Sequence, residues 1–168
     1  MTPMLLSLFL LQAAPTLAPP EPPCSIADEQ LPENLSGWRD AGGSPVTALT
    51  VGRAGRITLE PVARVGFAAA PERAPGAGTR GAAIPVTIER AGRYVLALSG
   101  PVWADLVVGT GRIASVAHGH GPRCSGIRKL VTFDLPAGRH LVQLSGSDAR
   151  EVTAMVTRVE GRSRRTQR

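Results

Sequence analysis

Aromatic residues make up only 4% of this 168-residue chain: three Phe, two Trp and one Tyr. So few rings argue against a stacking platform for bases or sugars. Lysine is scarcer still, since Lys129 is the single lysine among 19 basic residues. No G-x-S-x-G nucleophile motif occurs. Gly76-Ala77-Gly78 and Gly109-Thr110-Gly111 neither follow a strand nor open a helix, so no phosphate cradle is implied. The carboxylates are scattered, and no glycosidase pair can be read from them. Long apolar runs are also missing, apart from Met4–Leu11 (MLLSLFLL). That run is too short to span a bilayer but suits the apolar region of a secretory signal.

The N-terminus therefore reads as a signal peptide over residues 1–18, cleaved after Ala14 or Ala18. Its start has no Lys or Arg, only the amino terminus. Residues 19–44 read as a leader segment, proline-rich at its start. Export predicts a periplasmic or secreted, soluble protein with no transmembrane segment. In an oxidising compartment Cys24 and Cys124 are expected to form a disulfide, pinning the leader to the loop around Cys124. The alternatives are two free thiols or a thiolate metal ligand.

Glycine (19) and proline (15) are abundant, and 43% of residues are hydrophobic. This combination argues against a helix bundle and against disorder, and for one turn-rich all-β domain. The net charge of +6 sits mostly in the last eleven residues, where Arg158, Arg162, Arg164, Arg165 and Arg168 face one acid, Glu160. Residues 161–168 read as a basic disordered tail, solvated or in contact with anionic surfaces; no nucleic acid is expected. Leu31, Leu35 and Trp38, with Asp28 as cap, predict a short N-terminal helical turn. Strands are expected at Val46–Val51, Arg56–Val62, Val65–Ala68, Ala83–Ile88, Arg93–Ser99, Ala104–Val108, Ile113–Val116, Leu130–Leu135, His140–Ser145 and Val152–Val159. The stretch Ala69–Gly81 is a surface loop. The β-sandwich domain spans residues 45–160.

An internal repeat organises this domain. AGRYVLALSG (Ala91–Gly100) matches AGRHLVQLSG (Ala137–Gly146) at six of ten positions, and VTIER (Val86–Arg90) precedes the first as VTFDL (Val131–Leu135) precedes the second. Each copy reads as a hairpin turning at Ala-Gly. Alternation puts Tyr94, Leu96 and Leu98 on one face, and His140, Val142 and Leu144 on the matching face. Two such units facing each other would form the centre of a two-sheet jelly-roll-like β-sandwich.

The runs AGRYVLALSGPVWADLVVGTGRIASV and KLVTFDLPAGRHLVQLSGS resemble the bacterial pre-peptidase C-terminal domain, with its GxYxLxLxG, DLxLxxxxG and xFxLxAGxYxxxVxG patterns. The resemblance covers roughly Ala82–Val159. It implies a jelly-roll sandwich that accompanies secreted enzymes and is not itself catalytic.

Chemical interest centres on His118-Gly119-His120-Gly121-Pro122-Arg123-Cys124-Ser125-Gly126. Two His at i, i+2 project to one side of an extended segment, which suits a shared metal. His140, Asp105, Asp134 or a reduced Cys124 could supply a third ligand. Gly111, His118-x-His120 and Pro136-x-Gly138-x-His140 resemble the cupin pattern, with shifted spacings and no Glu at the cupin position. HGHGPRCSGIRK with LPENLSGW is also similar to short exported bacterial proteins filed as homogentisate 1,2-dioxygenase. That resemblance implies a two-His, one-carboxylate iron site, with Asp105 or Asp134 as the carboxylate. Against it, the repeat puts Tyr94 where His140 stands, so a non-ligand can fill that position.

Two readings result. In the first, the protein is an exported non-catalytic accessory or binding module for a protein or carbohydrate ligand, needing no cofactor. In the second, it is a small cupin-like metalloprotein using His118 and His120 with iron or zinc, its most specific form being a dioxygenase.

Overall fold

The computed structural model describes Cys24 and residues 31–159. The signal sequence, the Asp28 cap and the basic tail lie outside the described residues. Among the described residues, ten strands form two antiparallel five-stranded sheets. The first sheet has the order β1 (Gly55–Thr58), β10 (Glu151–Arg158), β4 (Gly92–Leu98), β8 (Lys129–Leu135), β7 (Ser115–Gly119). The second has β2 (Glu60–Pro61), β3 (Arg80–Ile88), β9 (Gly138–Ser147), β5 (Trp103–Val108), β6 (Gly111–Ile113). Without the short edge strands β2 and β7, the remaining strands interleave as 1-8-3-6 over 2-7-4-5. That is the strand order of a jelly roll, so the expected all-β sandwich is the fold.

The repeat is the centre of the sandwich, but its copies are not hairpins. β3 pairs with β9, and β4 pairs with β8. Each Ala-Gly turn therefore carries the chain from one sheet to the other, as an arch. The two arches nest, each strand of one copy pairing with the opposite strand of the other. Periodicity cannot separate the two cases, because a hairpin and an arch show the same apolar alternation. The registers differ by two residues: His140 lies opposite Val86, but Tyr94 lies opposite Phe133, two beyond the matching Val131.

Between the sheets lies the main core, with Ile57, Leu59, Ile88, Leu96, Leu98, Leu106, Val142, Leu144 and Val156 all nearly inaccessible. Burying each such side chain stabilises the fold by about 1.5–3 kcal/mol before entropy is counted. Two expected strands are absent. Val46–Val51 makes only one parallel bridge, Leu49 to Val86, and Val65–Ala68 follows a 3-10 turn at Val62–Arg64. The first of these crosses from one sheet to the other: Leu49 N–H donates to Pro85 O (2.9 Å) and Gly52 N–H to Val156 O (2.8 Å). Arg56–Val62 likewise divides at buried Leu59 into β1 and β2, one in each sheet.

Both outer faces are covered by the chain itself. The helical turn is a 3-10 helix, Glu33–Asp40, whose Leu35 and Trp38 pack on Ala97, Ile127 and Met155. Thr157 Oγ1 donates to Asn34 O (2.6 Å) and Trp38 Nε1 to Ser125 O (2.9 Å). Gln143 sits on the outer face of the second sheet. Its amide oxygen accepts from Ala68 N–H and Ala69 N–H (2.6 and 3.2 Å), and its Nε2 donates to Ala69 O (2.9 Å). Ala97 and Gln143 are equivalent positions in the repeat. A small apolar residue receives a helix at one, and an amide ties down a loop at the other.

Cys24 and Cys124 form a disulfide, with Cα atoms 5.3 Å apart. Cys124 has φ 66°, in the left-handed region that glycine favours. Its turn is closed by Ser125 Oγ, which donates to Pro122 O (2.6 Å) and accepts from Ile127 N–H (3.0 Å). No helix among the described residues is long and apolar enough to cross a membrane.

Candidate edge pocket at His118 and Trp103

β6 pairs only with Leu106–Val108, so β5 is unpaired on that side at Trp103–Asp105. Across the gap, β7 is the edge of the facing sheet, with a register shift between Ser115 and Ala117. His118 stands opposite core residue Val131 and so shares its side of the sheet, at the open margin of the sandwich. A pocket of about 200 Å³ opens here. Ile113, Val131 and Phe133 wall it, and His118, Trp103, Asp105, Lys129 and Glu72 supply its polar groups.

Asp105 is 4% exposed and fixed on both oxygens. Oδ1 accepts from Trp103 Nε1 (3.1 Å), and Oδ2 accepts from Glu72 N–H (3.2 Å). The Lys129 ammonium lies 4.9 Å from the centre of the Trp103 ring and donates to Val102 O (3.3 Å). Burial pushes the Lys129 pKa below the ordinary lysine value; the Asp105 charge opposes that shift and Arg73 adds to it. The result is an oriented cation on an aromatic face, a buried carboxylate behind it and an exposed imidazole at the rim.

His120 lies just past the end of β7, exposed, with Nδ1 3.1 Å from Arg128 O. A carbonyl only accepts, so this bond puts the proton on Nδ1 and leaves Nε2 as the lone-pair nitrogen. His118 and His120 both line a shallow groove of about 260 Å³ beside Lys129.

The other sequence candidates lie elsewhere. His140 is buried, and its Nε2 donates to Pro136 O (2.8 Å). Tyr94, its counterpart in the repeat, donates from Oη to Arg90 O (2.7 Å). Both side chains pin the arch four residues upstream, so His140 is an arch-closing residue. Its Nδ1 is buried without a partner. Asp134 is exposed and accepts two hydrogen bonds from Arg93, at 2.8 and 2.9 Å. Those bonds hold its carboxyl below the ordinary aspartate value; desolvation opposes them and the Arg93 charge adds to them. Cys124 is in the disulfide. Thus His118 and Asp105 share a pocket and His118 and His120 share a groove, but His140 and Asp134 join neither. Among the described residues, no group of three or more His, Cys, Asp and Glu side chains is arranged to hold a metal ion.

Family models, curated proteins and solved structures offer no match to this chain.

The sequence alone did not single out Glu72, Trp103 or Lys129 as site residues. One signal was present in the Trp103-x-Asp105 alternation, which puts both on one face of β5. The singularity of Lys129 was another.

Proposed function

We propose that the protein is an exported, non-catalytic β-sandwich binding module that uses the edge pocket to hold a protruding group of a carbohydrate or protein ligand. The observation that carries this reading is the Lys129 ammonium stacked on Trp103 in front of buried Asp105. Such an arrangement presents fixed polar groups on an apolar wall without a nucleophile–base pair. The volume, about 200 Å³, lies below the roughly 300–1,000 Å³ that enclose whole small molecules. A pocket of this size takes one end of a ligand and leaves the rest outside. The disulfide agrees with an oxidising, periplasmic or secreted location. The jelly-roll order agrees with the fold that the pre-peptidase-like resemblance implies. Glycan and peptide arrays probed with wild type, Trp103→Leu and Lys129→Met test it. Binding by wild type that both variants lose supports the reading; equal binding by all three, or none, overturns it.

A second reading, a metalloprotein, has one observation in its favour. An Nδ1–H bonded to a backbone carbonyl, as in His120 to Arg128, is the usual way an imidazole is oriented for a metal on Nε2. His118 in the same groove would be the second ligand for zinc or iron. The cupin-like version also needs His140 and a carboxylate, and those side chains are engaged in the arch, the Arg93 pair and the Trp103 contact. Metal analysis of protein purified without a His tag separates the readings. A stoichiometric metal lost in a His118→Ala/His120→Ala double variant would establish the metalloprotein.

A further inference from the structure

The opposite margin of the sandwich carries a larger concavity. It lies between the crossing segment at residues 48–51, the β3–β4 arch, and the ends of β9 and β10. Its volume is about 710 Å³, within the range of true ligand sites. Arg90 from the arch, Arg139 from β9 and Arg158 from β10 all line it. The three are exposed, and none of their guanidinium groups has a hydrogen bond or ion pair among the described residues, in contrast to Arg56 with Glu151 and Arg93 with Asp134. Glu89 is the one acid on the lining.

Space for one of these cations is built in. A Cβ at Gly92 would stand 3.2 Å from Arg158 Nε and 3.3 Å from its Nη2. The glycine of the first Ala-Gly-Arg triplet thus leaves room for the Arg158 guanidinium. Val159 N–H donates to Arg93 O (2.8 Å), which fixes the chain as it leaves β10 at this end of the sandwich. The sequence beyond it adds Arg162, Arg164, Arg165 and Arg168.

We propose that this cleft binds an acidic oligosaccharide of the uronic-acid class. Guanidinium groups pair with carboxylates in two-pronged fashion. Three of them on three separate elements suit charges repeated along an extended chain better than one compact anion. Glu89 decides between polyanions. A carboxylate opposes a ligand dense in phosphate, but it accepts hydrogen bonds from sugar hydroxyls, as do Thr50 and Thr87 on the same lining. Val51 and Pro85 give the C–H face of a sugar ring an apolar floor. Recognition here works through charge and hydrogen bonding, which suits a chain so poor in exposed aromatics. The inference is independent of the pocket at His118.

The test is calorimetric titration of the full chain at low ionic strength with three probes: a galacturonate hexamer, a neutral glucose hexamer and inorganic polyphosphate. The galacturonate hexamer is expected to bind and the neutral one not to. Arg90→Gln, Arg139→Gln and Arg158→Gln should each weaken galacturonate binding by about tenfold, as loss of one charge-assisted pair does. Gly92→Val should weaken it similarly by displacing Arg158. Glu89→Gln should weaken galacturonate binding and tighten polyphosphate binding. Melting curves check that each variant is folded. The proposal is overturned if the wild type does not bind galacturonate, or if an Arg90/Arg139/Arg158 triple variant binds it as well as wild type does. It also fails if Glu89→Gln tightens both anions alike, which marks a nonspecific cationic surface. It fails too if replacing the four arginines at 162, 164, 165 and 168 by Gln abolishes binding while the cleft variants retain it.

Discussion

Tyr94 and His140 make the same bond in the two copies of the repeat, and this defines what His140 is for. Each is buried, and each reaches back four residues to a carbonyl of its own arch. Tyr94→Phe removes one hydrogen bond and keeps the ring; it is expected to cost about 1 kcal/mol. His140→Ala removes the bond and opens a cavity between the sheets, with an expected cost of about 2–3 kcal/mol. Urea denaturation measures both, and a neutral His140→Ala would contradict the arch-closing role. Asp134 supplies a separate test. Its carboxyl titrates below the ordinary value because Arg93 donates two bonds to it. A depressed carboxyl stabilises the fold above its unfolded pKa, and that contribution disappears as pH falls through the lower folded pKa. The pair is exposed to solvent, so the effect is read by NMR titration rather than by melting. Arg93→Gln is expected to return Asp134 toward the ordinary aspartate value; an unchanged titration would remove Arg93 as the cause. The sequence singled out His140 and Asp134 for their chemical type. Their actual partners, Pro136 O and the Arg93 guanidinium, depend on an arch and a cross-strand register that residue type does not encode.

At the scale of elements, both covering segments act on repeat-equivalent positions, Ala97 and Gln143. Trp38 fills the space over Ala97 and Met155 and anchors on Ser125 O. Trp38→Ala is expected to cost about 3–5 kcal/mol, as for other large buried aromatics, when measured by denaturation. Gly37→Ala should also destabilise, because its Cβ would run into the Gly52 carbonyl. Gln143 acts locally. With Gln143→Met, the Ala68 and Ala69 amides lose their acceptor, and their hydrogen exchange should accelerate while β9 stays protected. If those amides keep their protection, Gln143 does not fasten the loop. Most strands were legible because alternation and Gly/Pro punctuation are local signals. β3, β4, β5, β8, β9 and β10 all overlap the expected segments closely. The arches were not legible, since a short Ala-Gly link reads as a hairpin whenever sheet membership is unknown. Val46–Val51 has strand-like composition but spends its length crossing between sheets, which composition does not record.

For the whole molecule, the two margins of the sandwich differ in kind. One has a small pocket with a single lysine, and the other a wide cleft with three arginines whose guanidinium groups are unpaired among the described residues. Neither could be read from the sequence. The pocket gathers residues 72, 103, 105, 118 and 129, and the cleft gathers residues from 48 to 158, through pairings that only the jelly-roll order creates. The disulfide was legible, because two cysteines behind a signal-like segment leave few alternatives. Its role is a question of the whole fold. It closes a span of 100 residues, yet both cysteines lie outside the two sheets, and the Trp38–Ser125 hydrogen bond already holds the 3-10 helix to the loop beside Cys124. The bond therefore acts mainly on the unfolded chain, where a loop of this length is worth about 4–5 kcal/mol in the entropic model and less in practice. Reduction, or a Cys24→Ser/Cys124→Ser variant, is expected to leave the sheet signal in circular dichroism intact at 25 °C. Stability should fall by about 2–4 kcal/mol, with a steeper urea dependence as the unfolded state expands. An unchanged midpoint would mean that the bridge contributes nothing to stability. Loss of the sheet signal on reduction would mean that the leader's attachment is a condition of folding, and that the 3-10 helix cannot hold the outer face of its sheet alone.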